Sequence, residues 1–164
     1  MLGDGPDVVT VDHNTIITTD TTAVWLYGGT ATSPNPTTNA VITNNVTAHN
    51  TYGIAGSSFG YGLTAINAYL PGSVVSHNVL AGGTASRYPA GNFFPTVSAW
   101  QAGFVDYAGG DYHLKVTSPY QNAATDGTDL GADITRVNAY AASALSGDDP
   151  LPPGTPTGLT IASK

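Results

Sequence analysis

Asp12 and His13 stand side by side in Val11-Asp12-His13-Asn14-Thr15, a carboxylate beside an imidazole. That pair is the chain's candidate for acid–base work, with Asp7 close by in the sequence. The other histidines, His49, His77 and His113, show no i,i+4 or HExxH spacing, so a zinc site is not expected. Asp126, Asp129 and Asp133, with Gly127 and Gly131 between them, offer oxygens that calcium would take. Their spacing does not match the Asp-x-Asn/Asp-x-Asn/Asp-Gly loop, and Asx-turns and helix capping account for them more simply. No cofactor is therefore expected. Paired carboxylates for glycoside hydrolysis occur only as Asp148-Asp149, inside a Pro/Gly-rich stretch where nothing fixes their separation. Aromatic residues are the other candidates. Trp25, Tyr27, Tyr52 and Tyr61 fall in or beside Gly-rich insertions, where rings that stack on sugars would be placed. The competing reading is that these rings pin long loops to the scaffold.

What positions these residues is a repeat. Val11-Asp12-His13-Asn14-Thr15-Ile16, Ile42-Thr43-Asn44-Asn45-Val46-Thr47 and Val75-Ser76-His77-Asn78-Val79-Leu80 align, with their second-register asparagines 31 and 33 residues apart. Periods of this length imply a solenoid, and the Val, Ile and Thr content favours strands over helices. Asn14, Asn45 and Asn78 would form a ladder of amides at the strand spacing of ~4.8 Å. Asparagine also tolerates the left-handed backbone that a tight turn needs. Val11, Ile42 and Val75 would stack inside as an aliphatic column. Asp12, Thr43 and Ser76 would form an outward polar column, followed by His13, Asn44 and His77. The stretches Gly28 to Asn39 and Gly56 to Gly72 read as protruding loops.

Composition agrees. The 164 residues are 41% hydrophobic and 9% charged, all 11 acids are aspartate, and only Arg87, Lys115, Arg136 and Lys164 are cationic. Surface helices draw on Glu and Lys, so a helix bundle is not expected. The net charge of −7 argues against nucleic-acid phosphates as a partner. No apolar run of membrane-spanning length occurs, so no membrane partner is expected. Cysteine is absent, so thiolate chemistry and disulfides are not available.

The repeat, followed by Gly91-Asn92-Phe93-Phe94, Gly103-Phe104-Val105-Asp106, Gly110-Asp111-Tyr112-His113-Leu114 and Ser118-Pro119-Tyr120-Gln121-Asn122-Ala123, resembles right-handed parallel β-helix proteins of the pectate-lyase-like superfamily. Thr125 to Asp133 resembles the stretch where such bacterial β-helices end. The likeness covers about residues 8 to 134. It implies an all-β, right-handed parallel β-helix of about three to four coils with a short C-terminal cap, over residues 1–145. Ile134, Val137, Ala141 and Leu145 share a helical face behind Asp133, and that helix is the expected cap. His113, Tyr107, Tyr112, Phe93 and Phe94 would seal the terminal segment. Residues 146–164 read as a Pro/Gly-rich linker to a fibronectin-III-like domain, of which Gly158-Leu159-Thr160-Ile161 looks like the first strand.

Asp12-His13 is weakly similar to the Asp-His strand motif of pectate lyases, but the companion calcium carboxylates and basic residue do not recur on neighbouring coils. The resemblance therefore implies a secreted or cell-surface bacterial protein directed at polysaccharide, by binding or as part of a lyase or hydrolase. The start at Met1-Leu2-Gly3-Asp4-Gly5 shows no signal peptide. A non-catalytic structural or adhesive module is the alternative, and an uncapped N-terminal coil would then favour self-association.

Overall fold

The computed structural model describes residues 2–146, so the linker expected beyond Ser146 lies outside the described residues. The chain divides into two compact units, Met1–Asp133 and Ile134–Lys164. In the second, the helix expected after Asp133 forms as Ile134–Ser146, with Arg136 stacked on Tyr140 one turn later.

The first unit is mostly strand. Its repeating element is three short strands separated by corners. One coil supplies β2 (Thr10–Asp12), β3 (Thr15–Ile16) and β4 (Thr22–Tyr27). The next supplies β5 (Val41–Thr43), β6 (Val46–Ala48) and β7 (Gly53–Gly56). A third begins with β8 (Val74–Ser76) and β9 (Val79–Ala81), and β1 (Leu2–Gly3) precedes the first. Like strands pair in parallel, giving three sheets in the orders β1-β4-β7, β2-β5-β8 and β3-β6-β9. This is the arrangement of a parallel β-helix-like solenoid. Val11, Ile42 and Val75 are register partners, and so are Asp12, Thr43 and Ser76, as the repeat predicts.

Side chains from all three sheets meet in one core. Leu26 and Ile54 enter from the first sheet, Ile42 and Val75 from the second, and Leu80 from the third. Burying each contributes about 1.5–3 kcal/mol against leaving it exposed. The stretch Gly56 to Gly72, expected as a loop, contains a helix, α1 (Leu63–Tyr69), whose Ala65, Ile66 and Tyr69 join this core. Seven residues with a buried side chain every three or four positions are too few to betray a period in sequence. Tertiary burial selects the helix here.

A second core lies on the other face of the β3-β6-β9 sheet. Val46, Ala48, Val79 and Ala81 face away from Thr47 and Leu80 and pack on Trp100, Phe104, Tyr120 and Leu130. The covering segment includes α2 (Val97–Ala102), capped by the Thr96 hydroxyl accepting from Ala99 N–H, and the antiparallel pair β10 (Phe104–Asp106) and β11 (Asp111–Leu114). Tyr107 and Tyr112, expected to seal the terminal segment, join this core. They pack on Trp100 and Phe104, along the flank of the coils. A parallel sheet covered on both faces explains why Val79-Leu80-Ala81 is apolar throughout and does not alternate.

The corner between the second and third sheets carries the asparagine ladder. Asn14 Nδ2 donates to Asn45 Oδ1 at 2.8 Å, Asn45 Nδ2 to Asn78 Oδ1 at 2.9 Å, and Asn78 Nδ2 to Asn92 Oδ1 at 2.9 Å. Each accepting oxygen also takes the backbone N–H of the preceding asparagine, at 2.9 to 3.1 Å. The second amide hydrogens reach corner carbonyls: Asn45 to Val11 and Thr43, Asn78 to Ile42 and Ser76. Asn92 is a fourth rung that the repeat does not show. The left-handed residue is one position earlier than expected. His13, Asn44 and His77 have φ of 51°, 59° and 56°. Asn and His are enriched in that region.

Asn45 is buried, and its removal strips partners from Asn14, Asn78, Val11 and Thr43 at once. Asn45→Ala should therefore cost about 3 kcal/mol in urea unfolding. Asn14→Ala, at the solvent-facing rung, should cost about 1 kcal/mol. Equal losses at the two positions would contradict the ladder's role.

Candidate functional site

The corner after β2 brings Asp12 and His13 against a distant segment. His13 Nδ1 lies 2.9 Å from Asp12 Oδ2 and Nε2 lies 3.0 Å from Thr128 Oγ1. The other Asp12 oxygen accepts from Thr43 Oγ1 at 2.7 Å and Asn44 Nδ2 at 2.8 Å, both on the next coil. Asp126 Oδ1 accepts from Thr128 N–H and from Thr128 Oγ1, the latter at 2.7 Å, and stands 3.6 Å from His13 Nε2. Sequence reasoning missed Thr128, because 115 residues separate it from His13.

The order Asp12, His13, Thr128 has the connectivity of a carboxylate–imidazole–hydroxyl triad. The proton count argues against that chemistry. The Thr128 hydroxyl has one hydrogen and gives it to Asp126, so that hydrogen is turned away from His13 Nε2. Nearby N–H groups that would steady an oxyanion are spent, Gly127 N–H on Ala124 O and Thr128 N–H on Asp126. What the constellation does is fasten. Asn44 exchanges two bonds with Thr125, at 2.8 and 2.9 Å, and Gly131 N–H donates to Asn44 O at 2.8 Å. Gly131 has φ of 86°, and a Cβ there would lie 2.6 Å from Thr15 Oγ1, so only glycine fits the close approach. The segment 124–132 is clasped to the coil corners.

Asp129, another of the candidate calcium ligands, accepts the N–H of Asn122 at 2.9 Å. Among the described residues no group of three or more His, Cys, Asp or Glu side chains is placed to hold a metal ion. Likewise, no helix among them is long and apolar enough to cross a membrane.

The aromatic candidates gather on the outer face of the β1-β4-β7 sheet. Strand alternation turns Leu26 inward and Trp25 and Tyr27 outward, at 38% and 40% exposure. Trp25 is the register partner of Ala55, and Ala55 bridges Tyr61 on its other side. Cross-strand partners share a face. Trp25, Ala55 and Tyr61 therefore form one row across three neighbouring segments, ~10 Å from end to end. The buried Ala55 methyl leaves a shallow floor between two rings. Tyr52, 43% exposed, has its ring 5.8 Å from that of Tyr61, and the Arg87 guanidinium lies 4.7 Å above the Tyr61 ring.

This row is firmly backed. His49 packs edge-on to Tyr61 and Tyr88, and the Tyr88 hydroxyl accepts from Ile54 N–H and donates to Tyr52 O. Burial pushes the Tyr88 phenol up to about 12, so it stays protonated. Phe59 and Tyr69, by contrast, pack on each other and on the inner core, pinning the loop after β7. No family model, characterised protein or solved structure matches the chain.

Burial pushes the Asp12 carboxyl up, but bonds from Thr43, His13 and Asn44 outweigh it and hold it below the ordinary range. The Thr128 hydroxyl and N–H hold Asp126 down as well. A carboxyl lowered in the folded state stabilises fully above its unfolded value of about 3.9, and loses that contribution as pH falls through the folded value. Thermal stability should thus fall below about pH 4. Asp12→Asn should lower the melting temperature at pH 7 more than at pH 3. An equal loss at both would contradict the ionised clasp.

Proposed function

We propose that the chain is the C-terminal portion of a right-handed parallel β-helix of the pectate-lyase-like kind, from a secreted bacterial protein, and that it binds polysaccharide. The observation that carries this reading is the group of rings at one outer sheet face: half-exposed Trp25 and Tyr27 on strand β4, with Tyr61 bridged to Ala55 and Tyr52 beside Tyr61. Apolar ring faces with an adjacent polar tip suit the apolar faces of sugars. Strand β4 fixes its two rings, Trp25 and Tyr27, in advance, so little of their side-chain freedom is lost on binding. The void inside the coils, about 10 Å³ and lined by Val11, Ile16, Val24, Ile42 and Leu80 among others, holds about one water and is too small for a sugar.

Binding without bond cleavage is the form of this reading that the corner chemistry supports. Asp12 and His13 are engaged in the clasp, and Asp126 with them. On this account His13→Ala lowers stability and leaves glycan affinity unchanged.

Gel retardation of the whole chain by a panel of soluble polysaccharides tests the reading. At least one should retard the wild type, and Trp25→Ala should weaken that binding about tenfold, the value of one good ring contact of about 1.5 kcal/mol. Trp25 is only half-exposed, so the substitution also lowers the melting temperature, and binding is compared well below it. Migration unaffected by every polysaccharide would sink the proposal in favour of a structural or adhesive module that self-associates.

A further inference from the structure

Two rings of the aromatic face rest on a buried histidine that has one nitrogen with nothing to bond. We propose that His49 is a proton switch beneath that face: neutral, it holds Tyr61 and Tyr52 in place, and mild acid releases them and weakens polysaccharide binding. This rests on the polysaccharide reading and adds its regulation.

His49 follows β6 at the corner before β7 and is 6% exposed. Its Nδ1 lies 3.0 Å from the Asn50 carbonyl, which only accepts, so Nδ1 carries the hydrogen of the neutral ring. Nε2 is then a bare lone pair, buried and without a hydrogen-bond partner among the described residues. The backbone closes over the ring. A Cβ at Gly53 would lie 2.5 Å from His49 Cδ2, and one at Gly83 would lie 2.9 Å from the same carbon.

The groups around the imidazole do not accommodate a charge. Tyr61, from the loop after β7, and Tyr88, from the segment after β9, meet it edge-on with centroids 6.0 and 5.6 Å away. The Tyr88 hydroxyl is engaged with Ile54 N–H and the Tyr52 carbonyl, and burial keeps the phenol protonated. The charged group at this cluster is Arg87, a cation 4.7 Å from the centroid of the same Tyr61 ring. Neither His49 nor Arg87 is ion-paired with a carboxylate among the described residues. A proton on Nε2 therefore creates a buried, unpaired cation, and a second positive charge on one tyrosine ring. Burying an unpaired charge is costly, so acid favours the arrangement that gives Nε2 to water.

Turning the imidazole out removes the edge that supports Tyr61 and Tyr88. Tyr52 follows, since its carbonyl is tied to the Tyr88 hydroxyl and its ring packs 5.8 Å from that of Tyr61. A histidine in water gains its proton near pH 6.5. Between pH 7.5 and 5.5 the open arrangement thus gains about tenfold over the closed one. The carboxyls of Asp12 and Asp126, held below their ordinary range by the bonds they accept, keep their charge throughout that window.

Gel retardation at pH 7.5 and 5.5 with polygalacturonate, hyaluronan and a soluble β-glucan tests this, together with NMR of the tyrosine rings in the unliganded chain. Affinity for whichever probe the wild type binds should fall by about threefold to tenfold at the lower pH. The Tyr61 and Tyr52 ring signals should move over the same range. His49→Gln should bind equally at both pH values, with ring signals that stay still. His49→Phe, which keeps a ring in the pocket, should do the same. Equal wild-type affinity at both pH values, tyrosine signals indifferent to pH, or His49 variants that keep the wild-type pH dependence would each overturn the switch. Equal affinity that is still weakened by Trp25→Ala leaves the polysaccharide reading standing and this one overturned. If no probe is retarded, the polysaccharide reading falls, and Tyr61 shifts that His49→Phe abolishes still support the switch.

Discussion

A coil that turns a corner between two strands carries backbone carbonyls and N–H groups that neither sheet can pair, and a buried unpaired group costs about 1–3 kcal/mol. Asn45 and Asn78 meet that constraint by taking an N–H from the coil on one side and two carbonyls from the corner itself. Because each rung bonds the next, the register of one coil sets the register of its neighbour. Everything outside the corner inherits this: the aliphatic column of Val11, Ile42 and Val75 inside, and the row of Trp25, Ala55 and Tyr61 on the opposite sheet. A one-residue slip would turn Trp25 inward and Leu26 outward.

The same register makes the clasp. Left-handed residues at His13 and Asn44 turn their side chains to the flank, where the segment 124–132 arrives after crossing the second core. Together with Trp100, Phe104 and Tyr120, that segment covers the outer face of the β3-β6-β9 sheet, which would otherwise expose Val46 and Val79. Charge is scarce in this protein, and the few charged side chains in the clasp are used for fastening. The aromatic face is built from different residues.

The sequence shows the ladder because asparagine recurs at one position in a period, and three occurrences suffice. Asn92 escapes notice because the chain reaches it only 14 residues after Asn78, outside the period. The left-handed position was misplaced by one residue. Asparagine's backbone tolerance suggested the ladder residue, whereas histidine fills that corner twice. Trp25 and Tyr27 are legible in the sequence only as rings in or beside a Gly-rich insertion; the structure puts both on β4, where alternation around Leu26 turns them outward. Their alignment with Tyr61, and the seat of Arg87 on Tyr61, follow from a bridge at Ala55 that no local pattern encodes. The flank packing of Trp100 and Tyr120 was hidden for the same reason, since its partners are strands far back in the chain.

The stacked amides are the claim on which the rest stands, and solution NMR reads them directly. The side-chain amide protons of Asn45 and Asn78 should exchange with solvent far more slowly than those of an exposed asparagine such as Asn138, and Asn45 Nδ2 should show through-bond coupling to the Asn78 side-chain carbonyl. Asn45 and Asn78 amides that exchange as fast as that of Asn138, with no such coupling, would contradict the ladder and with it the register that builds the aromatic face.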